Sequence, residues 1–297
     1  MAEMRVVSLL PSATEIVCAL GMGEALAGVS HECDYPPEVV GRLPRLTHPA
    51  VPSGPGAFGS AEIDAAVAER LRRGESLYLM DEATLADLQP DLVITQELCD
   101  VCAVSYEDVC RVAARLPGNP PVLSLQPADI AGILGDVVTV ARALGVPARG
   151  ERLKAQLRAR LDAAAARVTE ADRPRVFALE WLDPPYAAGH WVPEMIELAG
   201  GHEVLGRAGQ KSYRLTWEQV TAAQPEVIVI VPCGYSAAAA EREFAALPKP
   251  PGWETIPAVR AGRVHCLEAN DYFSRPAPRV VDGVEQLAEL FAQRGDI

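Results

Sequence analysis

Nowhere in the 297 residues does an apolar run reach the length of about 18 that a membrane-crossing helix needs, so no transmembrane segment is predicted. Positive charge is scarce. Twenty-seven Lys and Arg against 40 Asp and Glu leave a net charge of −13. So acidic a chain gains nothing from phosphate backbones or anionic lipid, which excludes nucleic acid and membrane surfaces as partners. The first residues lack the basic start, long apolar core and small-residue cleavage site of a secretory signal; Met1 to Arg5 lead straight into the apolar stretch 6–10. A nucleophile elbow, a phosphate-cradling glycine loop and a zinc-protease helix are also missing, which weighs against an enzyme. The cysteines number seven, an odd count at irregular spacing, and fit a reducing compartment better than a disulfide framework. As written, the chain is expected in the cytoplasm; a longer true N-terminus would move it to the periplasm or cell surface.

Against these absences, 49% hydrophobic content is ample for two cores. The stretch 147–171 places Leu153, Leu157, Leu161, Ala165 and Val168 at helical spacing, with Arg149, Arg152, Lys154, Arg158 and Arg160 on the other faces. Pro147 suits a first helical turn and Pro174 stops the pattern. On both sides of this helix the chain repeats itself. Gln89-Pro90-Asp91-Leu92-Val93-Ile94 and Gln224-Pro225-Glu226-Val227-Ile228-Val229 are the same helix–proline–strand unit. Short apolar strands at 6–10, 26–29, 122–125, 175–181 and 262–267 alternate with helices, which predicts parallel sheets covered on both faces. The expected architecture is α/β: two Rossmann-like lobes, residues 1–146 and 172–297, joined by one long rigid helix at 147–171, with a ligand cleft between the lobes. Locally, Ser12 with Glu15 reads as a capping box, and 47–60, rich in Pro, Gly and Ser, as an irregular excursion.

In parallel sheets ligands bind beyond the carboxyl ends of the strands. Those ends are predicted at 11–14, 31–35 and 96–103 in the first half, and at 182–191, 232–235 and 269–275 in the second. Tyr35, Trp181, Tyr186, Trp191, Tyr235, Tyr272 and Phe273 lie on or beside them, although aromatics are only 5% of the chain. Aromatic loops suit a large, flat, partly apolar ligand; the competing reading is that several of them fill the cores. Cys33, Cys99 and Cys102, with His31, would make a tetrahedral metal or Fe–S set. The same thiols, with Cys233 on a matching loop, could instead form a reversible disulfide or remain inert. His190 in Gly189-His190-Trp191 could ligate cobalt or heme iron, donate to a ligand amide, or serve its own loop.

Several stretches, Ser8-Leu-Leu-Pro-Ser-Ala-Thr-Glu-Ile16, Gly28-Val-Ser30 with Asp34-Tyr-Pro-Pro37, Pro90-Asp-Leu-Val-Ile94 and Asn270-Asp-Tyr-Phe-Ser-Arg-Pro-Ala-Pro-Arg279, resemble in that order the vitamin B12-binding components of bacterial corrinoid ABC importers. More broadly, the chain resembles helix-linked two-lobe (class III) periplasmic-binding-protein-like carriers of corrinoids, heme or iron chelates. The resemblance implies a binding protein, not an enzyme, with cobalamin or a related corrinoid as ligand. It implies contacts from Asp271 and Arg275 and an aromatic lining from Tyr186. Glu32 stands where the B12 binders carry a ligand-contacting tyrosine. The ligand set is therefore Glu32, Tyr35, Tyr186, His190, Trp191, Tyr235, Asp271, Tyr272 and Arg275. Glu218 matches a glutamate that docks on an ABC permease; its counterpart falls on Ala83, beside Glu82. Two other readings stand beside this one: a cytosolic metal, Fe–S or redox protein or enzyme using Cys33, Cys99 and Cys102, and a heme or iron-chelate carrier.

Overall fold

The computed structural model describes residues 4–51, 58–97, 104–167 and 173–293. Contacts between Cα atoms divide the chain into two compact units. The first comprises residues 1–58, 65–127 and 132–155; the second comprises 59–64, 128–131 and 156–297. No helix among the described residues is long and apolar enough to cross a membrane.

In the first unit, β1 (Val6–Ser8), β2 (Leu26–Val29), β5 (Leu92–Gln96) and β6 (Val122–Leu125) form an all-parallel sheet in the order β2-β1-β5-β6. β1 and β5 are buried throughout, as strands covered on both faces must be. The strand order reverses between β1 and β5, which is where such sheets open a crevice at their carboxyl ends. Val7, Leu9, Leu46, Leu85, Val93 and Val109 make the core on one face.

Three local expectations are corrected here. The first helix, Pro11–Ala19, starts at Pro11, and its N-cap, Leu10, gives no side-chain bond. Ser12 is therefore not a cap: proline's fixed φ suits the first helical position, which carries Ser12 and Glu15 inside, both buried. The stretch after residue 46 is not wholly irregular either, since β3 (Thr47–Pro49) pairs antiparallel with β4 (Tyr78–Met80). Residues 52–57 of it lie outside the described residues. Third, the long helix is Pro147–Ala165, followed by a turn. Its 19 residues span about 29 Å, and the expected end at 168–171 lies outside the described residues. Gly150 belongs to its first part, where a Cβ would come 2.5 Å from that of Ala141 on the preceding helix, Ile130–Ala143.

The second unit holds β7 (Arg175–Trp181), β8 (Tyr186–Ala187), β9 (His202–Glu203), β10 (Tyr213–Arg214), β11 (Val227–Ile230) and β12 (Val264–Cys266). Its order is β10-β8-β7-β11-β12, with β9 also on β7. β7, β9, β11 and β12 run parallel, while β8 and β10 add an antiparallel edge. Phe177, Leu179, Ile228, Ile230, Val220 and Trp253 are among its core. Leu157, Leu161 and Ala164 bury one stripe of the long helix, and Leu161 is fully buried. Within this unit Arg160 reaches Glu285 through both carboxylate oxygens, at 2.9 and 2.6 Å, and Asp282 at 2.5 Å. These acids lie on the closing helix, Val280–Ala292.

The internal repeat is visible in backbone angles. Helix Glu82–Leu88 ends on Gln89 at φ 45°, ψ 61°, and helix Trp217–Ala223 ends on Gln224 at φ 45°, ψ 57°. Each left-handed glutamine closes its helix and hands a proline to the next strand.

Candidate functional site

The loops at the carboxyl ends of the strands hold the candidate residues, and each unit has its own set. In the first unit a buried hydroxyl–thiol network underlies them. Ser8 Oγ donates to Leu10 O at 2.9 Å, and Thr14 Oγ1 donates to Ser8 Oγ at 2.8 Å. Cys33 Sγ lies 3.1 Å from Thr14 Oγ1 and 3.3 Å from Ser30 Oγ. Burial and these partners give Cys33 a packing role. Arg45 Nη1 donates to the carbonyls of Ser30, at 3.1 Å, and Cys33. The loop after β2 is thus tied at both ends.

On that loop, His31 donates its backbone N–H to Thr47 Oγ1 at 3.0 Å and brings Nδ1 to 2.7 Å from the same oxygen. Its ring tilts on Tyr78 with centroids 5.4 Å apart. Nε2 lies 3.2 Å from Glu32 Oε1, yet makes no hydrogen bond with a described residue. A small hollow beside it is lined by Leu9, Ser30, Glu32, Thr47, Tyr78 and Val104. Tyr35, next along, is 43% exposed. Cys99 and Cys102 lie outside the described residues. Among the described residues no group of three His, Cys, Asp or Glu can hold a metal ion, so the metal and Fe–S expectation gains no support there. None of the five described cysteines is in a disulfide.

In the second unit the loop after β8 is built with little slack. A Cβ on Gly189 would collide with the backbone of Ser212 and Gln210. His190 sits at φ 50° and donates its N–H to Gln210 O at 2.6 Å, while Gly189 N–H donates to Glu180 Oε2 at 3.0 Å. Burial, with the Lys211 charge adding to it, lowers the His190 pKa, so the imidazole is neutral at pH 7. Its ring faces that of Trp191 at 5.6 Å, and Trp191 Nε1 donates to Phe273 O at 2.8 Å. This joins the loop to the segment carrying Asp271, Tyr272 and Arg275. Asp271 lies 3.5 Å from Arg279 Nη1, and the Arg279 guanidinium stands 5.8 Å from the Tyr272 ring centre. Arg275 is only 6% exposed, and Tyr186 lies half-buried on β8.

Tyr235 is already engaged. Its hydroxyl donates to Glu243 Oε2 at 2.8 Å, its ring stands edge-on to Trp181, and burial pushes its pKa up. Glu243 Oε1 accepts the N–H of Ser60 at 2.6 Å, and Trp181 Nε1 donates to Ser60 O at 3.3 Å. The charge-bearing residue of this anchor is 183 positions from its partner; no local pattern could have found it. Glu194 does the same for Ile130, accepting its N–H at 2.8 Å. Glu218, exposed in the first turn of its helix, has its pKa lowered by a hydrogen bond with Thr216. Glu82 opens the matching helix, exposed and 4.0 Å from Arg115.

Residues 6–270 match the family described as periplasmic binding protein. The chain belongs to that family. It is a family of substrate-binding proteins, so the expectation of a binder rather than an enzyme stands. A vitamin B12-binding protein of Vibrio parahaemolyticus is 24% identical over 97% of this chain and 89% of its own length. A cobalamin-binding protein of Halobacterium salinarum is 28% identical over 97% of this chain and 69% of its own. Among solved structures, the periplasmic heme-binding protein RhuT of Roseiflexus shows a TM-score of 0.71 and 28% identity, covering 98% of both chains. The periplasmic vitamin B12-binding protein of Vibrio cholerae gives 0.68 at 24%, covering 97% of this chain and 96% of its own, which speaks for the fold. The two-lobe α/β class expected from the sequence is that of these neighbours. Their periplasmic setting gives the cytoplasmic expectation no support.

Proposed function

We propose that the chain is the substrate-binding component of a corrinoid importer of the ABC type, acting outside the cytoplasm. The observation that carries this reading is the chain-long likeness to B12-binding proteins, and the strand-end loops supply chemistry that fits it. A corrinoid is a flat ring edged with amides. Tyr186 and Trp191 would cover ring faces; Tyr35 and Tyr272 extend that apolar surface; Tyr235, held by Glu243, backs it. Asp271, Glu32, Arg275 and neutral His190 would pair with peripheral amides. Because Arg275 is buried, replacing it removes a partner that solvent does not replace. Glu82 and Glu218, each exposed in a helical first turn, are the surface carboxylates for a basic patch on a permease.

Calorimetry with cyanocobalamin tests the reading. The protein should bind it, and Arg275→Ala should weaken binding by about 1–3 kcal/mol with the thermal transition little changed. The second reading, a heme carrier, is favoured by the heme-binding neighbour at 28% identity. Binding of hemin with no binding of cyanocobalamin would replace the first reading by the second.

A further inference from the structure

Between Glu203 and Glu218 the chain carries no acid and three cations, Arg207, Lys211 and Arg214. In a protein of net charge −13 this stretch is an island of the opposite sign. Arg207 is occupied within it, its guanidinium 4.1 Å over the Tyr213 ring. Lys211 and Arg214 are exposed, and neither forms an ion pair with an acid among the described residues. Asp183, exposed in the turn before β8, pairs with neither of them. The backbone beneath the two cations is held at several points. Arg207 N–H donates to Ala188 O at 3.2 Å, Gly209 N–H to His190 O at 2.8 Å, His190 N–H to Gln210 O at 2.6 Å and Leu215 N–H to Pro185 O at 2.8 Å. These bonds stitch the stretch to the loop that carries Tyr186, His190 and Trp191.

The stitching fixes where the cations stand. The antiparallel pair β8–β10 sets Tyr213 opposite Ala187 and Arg214 directly opposite Tyr186. Ala187 and Tyr213 pack on the core of this unit, so Arg214 and Tyr186 are neighbours on the other face. Lys211 lies against Gly189, where an added Cβ would come 2.7 Å from the Lys211 carbonyl carbon. Its charge joins burial in keeping His190 neutral. One cation thus flanks the tyrosine and the other the imidazole. A ligand whose ring lies on Tyr186 brings its periphery to both. The amides of a corrinoid edge are neutral; its one anionic group is the phosphodiester of the nucleotide arm. Guanidinium and ammonium are the side chains that pair with phosphate oxygens, the first as a two-pronged fork and the second as a point charge.

We propose that Lys211 and Arg214 form an anion subsite beside Tyr186 and His190, and that it takes the phosphodiester of the ligand's nucleotide arm. This rests on the corrinoid reading, and it adds a selectivity: complete corrinoids should be held tighter than those that lack the nucleotide arm.

Cyanocobalamin carries the phosphodiester and dicyanocobinamide lacks it. Equilibrium dialysis of the parent protein with each tests the subsite. Cyanocobalamin should bind about tenfold tighter, as two exposed ion pairs would give, and added salt should weaken its binding more than that of dicyanocobinamide. The double variant Lys211→Gln with Arg214→Gln should bring the two affinities together, lowering that for cyanocobalamin about tenfold and leaving that for dicyanocobinamide within about twofold. Its melting curve should match the parent's, since both side chains are exposed. Lys211→Arg with Arg214→Lys, which keeps both charges, should retain most of the preference. Equal affinities in the parent, or a preference that survives in the double glutamine variant, overturns the subsite and leaves the corrinoid reading intact. Binding of neither corrinoid overturns the corrinoid reading itself, and the proposal with it.

Discussion

Glu203 offers the sharpest test of the second unit's energetics. It is 8% exposed and accepts three backbone N–H groups: Ala178 at Oε2, 3.1 Å, and Leu205 and Gly206 at Oε1, 2.9 and 2.8 Å. Burial outweighs these bonds and raises its pKa from the ordinary 4.5 to about 7, with the Glu197 charge adding to the rise. Below pH 4.5 the folded and unfolded chains both carry the proton. As the pH climbs from 4.5 toward 7 the unfolded chain releases it first, so stability falls through that window and the loss is complete above 7. At about 1.4 kcal/mol per pH unit the full loss is about 3 kcal/mol, of which about 2–3 falls between pH 5 and pH 8. Glu203→Gln removes the titration. Its amide oxygen keeps Leu205 and Gly206, but its NH2 meets the Ala178 N–H donor to donor, costing about 1–3 kcal/mol at every pH. The variant should therefore be the less stable protein at pH 5 and draw level with the parent near pH 8. Urea unfolding followed by tryptophan fluorescence reads this directly, since Trp181, Trp191, Trp217 and Trp253 all belong to the second unit. A stability difference that stays constant between pH 5 and pH 8 would refute the reasoning.

Further outcomes follow from the same geometry. Gly189→Ala drives a methyl into the Ser212 and Gln210 backbone and should cost about 3 kcal/mol or more, seen as a lower melting temperature and loss of corrinoid binding; an unchanged melting curve would contradict it. Trp191→Phe strands the carbonyl of Phe273, an expected loss of about 1–2 kcal/mol by urea unfolding, with cyanocobalamin affinity reduced as well. Leu161→Ala, at a fully buried position, should cost about 2–5 kcal/mol by the same fluorescence assay. Glu243→Ala should speed amide exchange at Ser60, whose N–H then loses its acceptor, and should shift Trp181 emission.

Much of the frame was legible because strands and helix ends are written locally. The apolar runs at Leu92–Gln96 and Val227–Ile230, each behind Gln-Pro, announced buried strands. β3 and β4 escaped because their partners lie about thirty residues apart, with His48 and Pro49 giving no strand pattern. The helix Ala237–Ala246 escaped for want of an apolar stripe, being alanine around most of its circumference. At the candidate site, the strand-end rule singled out the loops and residue type singled out their aromatics. What holds those residues was hidden: Glu180 under Gly189, Thr47 under His31 and Glu243 under Tyr235 are meetings between distant segments. Arg279 facing Asp271 was hidden differently, since spacing alone did not say which arginine of 275 and 279 takes that carboxylate.

The helices Ser60–Arg72 and Ile130–Ala143 each begin on a carboxylate supplied from far downstream, Glu243 and Glu194. During synthesis both first turns leave the ribosome well before their acceptors exist: Ser60 precedes Glu243 by 183 residues and Ile130 precedes Glu194 by 64. At about 5–20 residues per second, Ser60 waits roughly 9–37 seconds and Ile130 roughly 3–13 seconds. The nascent chain thus carries two helix starts whose first amide protons face water until the C-terminal half arrives. A gene fragment beginning at residue 156 would have the converse defect, with Glu194 and Glu243 made and the N–H groups of Ile130 and Ser60 missing.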